Sequence, residues 1–126
     1  MKVLLSIKPE YVEKIFNGEK RYEYRKSIFK KNIDTIVIYS TKPEGKIVGE
    51  FKIEDVLHDN VDAIWDKTNE YSGINYTFFK DYFKNRDNAY AIKIGKIKLY
   101  DTPLDPKDFS NVFRIPQSFC YIDRVL

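Results

Sequence analysis

The stretch Gly18-Glu19-Lys20-Arg21-Tyr22-Glu23-Tyr24-Arg25 decides how this chain is read. Just upstream, Pro9 suits the first turn of a helix, where its missing N–H costs nothing. Val12, Ile15 and Phe16 then recur at helical spacing, with Glu10, Glu13 and Lys14 on the other side. Asn17-Gly18 stops that helix, because glycine enters the left-handed region without steric cost. From Arg21 the pattern alternates, with Tyr22 and Tyr24 on one face and Arg21, Glu23 and Arg25 on the other. A helix stop therefore feeds a strand start crowded with charges of both signs, in the spacing G-x-K-x-x-E-x-R. Such residues face water, pair with one another or bind something. As a solvent-facing ion pair they would contribute little. As the floor of a cleft, Lys20 and Arg25 offer donors to a phosphate or carbonyl, and Glu23 orients them or accepts from a base edge.

Working outward, Val3 to Ile7 reads as a first strand and Thr35 to Tyr39 as a buried one. Lys26 to Asn32 is a basic loop in which Lys26, Lys30 and Lys31 are interleaved with Ile28 and Phe29. Lys42-Pro43-Glu44-Gly45 is a turn, and Lys46 to Val56 a long strand interrupted by Gly49, where a bulge or close backbone approach is expected. Asn60 caps a helix through Val61, Ile64 and Trp65. Ser72-Gly73 breaks the chain before a second helix carrying Phe78, Phe79, Tyr82 and Phe83. Their spacing of three and four predicts core packing for all of them. Tyr90 to Tyr100 is a strand whose phase shifts at Gly95-Lys96, predicting a bulge. Pro103 to Pro106 reads as a turn, and the tail from Pro116 to Tyr121 as irregular or a short helical turn. Roughly five strands and three helices in this order give an α+β class. The long strands and interrupting glycines favour a small curved β-barrel with flanking helices. No linker or repeat divides the chain, so residues 1–126 are read as a single domain.

Composition narrows the chemistry. A lone Cys120 excludes an intramolecular disulfide framework and a cysteine-rich zinc site, and His58 is the one histidine. No metal and no cofactor is expected. No phosphate loop is present, and no stretch approaches the ~20 apolar residues of a membrane span. The expectation is a reduced, cytoplasmic, soluble protein with no membrane contact. Its formal charge of +3 is small, but residues 1–31 carry nine Lys/Arg against four Asp/Glu, whereas residues 32–126 carry thirteen against fifteen. A basic end of this kind is the footprint of a polyanion-binding face or of an ordinary solvated surface.

The G-x-K-x-x-E-x-R segment resembles the signature of the ASCH domain family, within the PUA-like superfamily. The resemblance extends over most of the chain, through Ile47-Val48-Gly49-Glu50-Phe51, the Trp65 helix, the Ser72-Gly73 break and the Pro116-Gln117-Ser118-Phe119 tail. It looks like a small stand-alone prokaryotic member. The resemblance implies a PUA-like fold with the motif lining a cleft, and RNA or a modified nucleotide as partner. One ASCH branch comprises N4-acetylcytidine amidohydrolases, in which a lysine and a threonine of this motif and a later glutamate are implicated in catalysis. Lys20 matches the lysine. Glu23 stands at the threonine position, so the hydroxyl nucleophile is missing, and Glu70 is a candidate for the later glutamate. Another branch has been proposed to act as a ribonuclease.

Two functions follow as expectations. The first is an RNA- or modified-nucleotide-binding module in which Lys20, Glu23 and Arg25 form the cleft, Lys26, Lys30 and Lys31 extend an electrostatic path, and Phe29 and Tyr71 supply stacking faces. The second is a metal-independent hydrolase in which Lys20 and Glu23 perform acid–base chemistry. Whether there is catalysis, and whether the chain dimerises, the sequence leaves open. His58 is read as a surface histidine, Cys120 and Trp65 as buried, Glu54-Asp55 as a solvated strand end, and Ser40-Thr41 as a turn cap or a cleft rim.

Overall fold

The computed structural model describes residues 2–30, 32–108 and 119–122. Its strands are β1 (Lys2–Ile7), β2 (Tyr22–Arg25), β3 (Thr35–Ser40), β4 (Lys46–Asn60), β5 (Asn88–Leu104) and β6 (Phe119–Ile122). Its helices are α1 (Pro9–Phe16), α2 (Val61–Thr68) and α3 (Tyr76–Tyr82), with 3₁₀ turns at Asn69–Tyr71 and Pro106–Asp108. The class is α+β. The six strands form one mixed sheet in the order β2-β5-β4-β3-β1-β6, with β1 parallel to β3 and the other pairs antiparallel.

The expected barrel closure is not found. Among the described residues the four-residue strands β2 and β6 end the sheet on opposite sides, and no ladder joins them. Curvature is nevertheless built into the long β4–β5 pair. The register shifts between Ile47 and Gly49 and again between Phe51 and Asp55. Gly49 is required at its position, since a Cβ there would lie 2.4 Å from the carbonyl oxygen of Lys98. Bulges of this kind bend the sheet without supplying enough strand to close it.

Two further expectations are corrected. Pro103 and Leu104 continue β5 instead of turning, and residues 119–122 form a strand against β1. A tail strand is short and lacks periodicity, so its pairing comes from the β1 edge. Lys31, Pro116, Gln117 and Ser118 lie outside the described residues, as do the side chains of Phe119 and Cys120.

One core cluster gathers Val3, Leu5, Ile36, Ile38 and Phe51 with Val12 and Ile15 of α1. A second joins α2 and α3 to the β2–β5 edge through Tyr24, Ile64, Phe79, Phe83 and Ala91. Tyr22 and Tyr24 of the charged segment pack into the second cluster. Among the described residues, no helix is long and apolar enough to cross a membrane.

Candidate functional site

The site begins with the end of α1. Asn17 closes the helix, Gly18 turns the chain at φ +86°, and the Lys20 N–H donates to the Lys14 carbonyl. The Ser72-Gly73 break wraps the other side. Its neighbour Tyr71 accepts from the Arg21 N–H at 2.8 Å, and the Ser72 carbonyl accepts from Lys20 Nζ at 2.8 Å. Gly73, at φ +71°, lies so close that a Cβ would sit 2.6 Å from Lys20 Cβ. Lys14 Nζ secures the same turn by donating to the Gly73 carbonyl. The break is therefore a clasp around the lysine stem.

Lys20 is 3% exposed and Glu23 8% exposed. Glu23 Oε2 accepts from Arg25 Nη2 at 2.8 Å, and its Oε1 stands 3.9 Å from Lys20 Nζ. Arg25 Nη2 also donates to the Ser6 carbonyl. The three motif residues thus form one buried cation–carboxylate–cation group, where Coulomb attraction is far less screened than in water. Burial pushes the Lys20 ammonium down to about 8; Glu23 opposes that shift, while Arg25 and Lys14 add to it.

This group opens into a cavity of about 340 Å³, within the range of small-ligand sites, roughly 300–1,000 Å³. Tyr11, Tyr24, Phe78 and Tyr82 form its aromatic walls, and Lys8 adds a third cation to its lining. Tyr24 is fixed by a 2.7 Å hydrogen bond with Thr68 Oγ1 and an edge-on contact with Phe79, and burial pushes its phenol up to about 12. The Lys20 ammonium stands 4.9 Å from the Tyr24 ring centroid, a cation–π distance.

Other expected site residues are distributed differently. Lys26 is exposed, its ammonium 4.8 Å over the Tyr82 ring at the side of the cavity. Lys30 is exposed, and its backbone N–H donates to Tyr121 Oη. Phe29 is half-buried against the first core cluster, away from the cavity lining. Tyr71 carries the Arg21 guanidinium 4.2 Å over its ring and lines a second cavity behind Lys20. Glu70 is exposed on the 3₁₀ turn and lines neither cavity.

The periodic reading of α3 needs correction. Phe79 and Phe83 are core, but Phe78 is 38% exposed, and it lines the cavity with Tyr82. Two aromatic pairs separated by Lys80-Asp81 satisfy helical spacing on two adjacent faces, so periodicity alone does not say which face is buried. Tyr11 and Lys8, also in the lining, flank Pro9 without any sequence signal. Ser40 donates to Glu44 within the turn after β3, so its role is a turn cap. Glu54 pairs with Lys93 in mid-strand beside the β5 bulge, so it is no strand end. His58 is exposed and stacks on Tyr90 at 4.1 Å. Among the described residues, no group of three or more His, Cys, Asp or Glu could hold a metal ion.

Residues 5–98 match the ASCH domain family. The chain belongs to that family. A ribosomal protein uL22 of Ureaplasma parvum is similar at 27% identity over 95% of this chain, which spans 39% of that protein's length. A protein of Zymomonas mobilis named an ASCH domain-containing ribonuclease is 24% identical over 94% of this chain and 82% of its own. The crystal structure of an ASCH protein from Zymomonas mobilis superposes with a TM-score of 0.90 at 23% identity, covering 98% of this chain and 88% of the other. That likeness establishes a shared fold.

Proposed function

We propose that this ASCH domain binds RNA, or a modified nucleotide within it, in the aromatic-walled cavity above Lys20, Glu23 and Arg25. The observation that carries the reading is the buried cation–carboxylate–cation group at the foot of that cavity. Tyr11, Phe78 and Tyr82 offer π-faces to a base, Lys20 and Arg25 donate to a carbonyl or phosphate, and Glu23 accepts from an amino edge. Lys26, beside Tyr82, and Lys8 extend the cationic margin. Membership of the family and the relative named as a ribonuclease support a ligand related to RNA.

A salt series of fluorescence anisotropy with labelled single-stranded RNA and its DNA equivalent tests this. Affinity that falls steeply with salt and prefers RNA is expected. Lys20→Met keeps the buried stem while removing the charge, and should weaken binding at least ~10-fold if one charge-assisted hydrogen bond is lost. Unchanged affinity in a variant that still melts cooperatively overturns the site.

A second reading, metal-independent hydrolysis, is favoured by one observation: Lys20 titrates near 8 and stands 3.9 Å from Glu23, a separation one water can bridge. In that reading Lys20 and Glu23 exchange a proton with the attacking water. Turnover of RNA or an N-acylated cytidine in chelator-treated buffer, lost in Glu23→Gln, is the expected result. Turnover that survives Glu23→Gln refutes this acid–base pair.

A further inference from the structure

Behind Lys20 lies a second and larger cavity, of about 650 Å³, which the nucleotide-binding reading does not use. Lys20 is the described residue common to both linings. The second is basic: Arg21, Lys93 and Lys96 border it, with Glu54 as its acidic member. Glu54 is already paired with Lys93 at 3.1 Å. Among the described residues, Arg21 and Lys96 are in no ion pair, and both are exposed.

Arg21 is also held as a recognition group would be. Its N–H donates to Tyr71, and its carbonyl accepts from Ile94 at 2.9 Å, so its backbone is pinned on both sides. Its guanidinium lies over the Tyr71 ring. A flexible side chain is thereby presented as a planar cation on an aromatic support, with less entropy to lose on binding. The cavity's chemistry is complementary to phosphodiester oxygens: a forked donor, a point charge on Lys96, and no uncompensated carboxylate.

We infer that this second cavity holds the phosphodiester backbone flanking the nucleotide in the first, with Arg21 and Lys96 as its two phosphate contacts. The inference rests on the nucleotide-binding reading of the first cavity. It means that the domain reads one nucleotide and grips its neighbours, so that strands bind more tightly than monomers.

The experiment compares a labelled single-stranded 10-mer RNA with AMP and CMP as monomer probes, for the wild type and for Arg21→Gln/Lys96→Gln. Exposed side chains are changed, so the fold is retained, and a thermal melt checks it. The variant should bind the 10-mer at least ~10-fold more weakly, and its log–log salt slope should shrink by about 1.4, the equivalent of two single-strand phosphates. Monomer affinity should not change. Unchanged 10-mer affinity and slope overturn the inference. Monomers that bind as tightly as the 10-mer in the wild type overturn it while leaving the first cavity's reading intact. Binding of neither probe class overturns both.

Discussion

Lys20 and Arg21 are adjacent in sequence and opposite in physical condition. Lys20 is buried, clasped by Ser72 and Gly73, and coupled to Glu23. Arg21 is exposed and rests on Tyr71. The first is a charge built into the packed structure and lines both cavities, whereas the second is a charge standing in water at the second cavity alone. The difference teaches that a charge is either bound up with folding or available for a ligand, and that one step along the chain separates the two. Substitutions around Lys20 should disturb stability and binding together, while substitutions around Arg21 should affect binding alone.

The largest expected effect is that of Glu23→Ala. It leaves the Lys20 and Arg25 cations facing each other without their shared carboxylate, and breaking a buried pair in this way costs about 3–5 kcal/mol. Urea denaturation measures it. A loss below ~1 kcal/mol, the value of an exposed pair, would erase the contrast with Arg21.

Next comes pH. Burial holds the Lys20 ammonium at about 8, below its ordinary 10.5. Between those values the unfolded chain holds a proton that the native state has released, so the Lys20 contribution to stability rises with pH. The penalty is fully present below pH 8. Wild-type stability should gain up to roughly 3 kcal/mol relative to Lys20→Met across that window. A flat difference between the two proteins would show that Lys20 keeps an ordinary titration.

Gly73→Ala should cost about 1–3 kcal/mol through its left-handed backbone and the collision with the Lys20 stem. It should also weaken ligands of the first cavity by displacing that stem. Chemical denaturation paired with a binding titration checks both. A variant as stable and as tight-binding as the wild type would mean that the clasp gives way freely.

The smallest effect is that of Arg21→Gln on stability, expected within about 0.5 kcal/mol of the wild type. A larger loss, read from the same denaturation curves, would place Arg21 with the packed charges.

Much of this was legible in the sequence because the signals are local. Asn17-Gly18, the Asn60 cap, the Gly49 constriction and the Gly95 bulge each follow from the conformational needs of a few neighbouring residues, and each occurs where expected. The site is legible in part. Lys20, Glu23 and Arg25 converge as the motif suggests, but helical spacing places Phe78 and Tyr82 in the core, and nothing in the sequence marks Tyr11 and Lys8 as cavity residues. Phe29, expected as a stacking face, packs against the core instead. A side chain's exposure depends on which element covers it, and that is a long-range property.

The sequence by itself determined the α+β class, the order of the elements from β1 to β5 and the motif that joins the end of α1 to β2, because periodicity, capping and turn chemistry act within a few residues. Only the tertiary structure decided that the sheet stays open, that the Ser72-Gly73 turn comes back across more than fifty residues to clasp Lys20, and that Lys20 lines both cavities while Arg21 lines the second alone. Those outcomes depend on which distant backbone carbonyl meets each donor and which surfaces lose their water. No residue carries that information in its own neighbourhood.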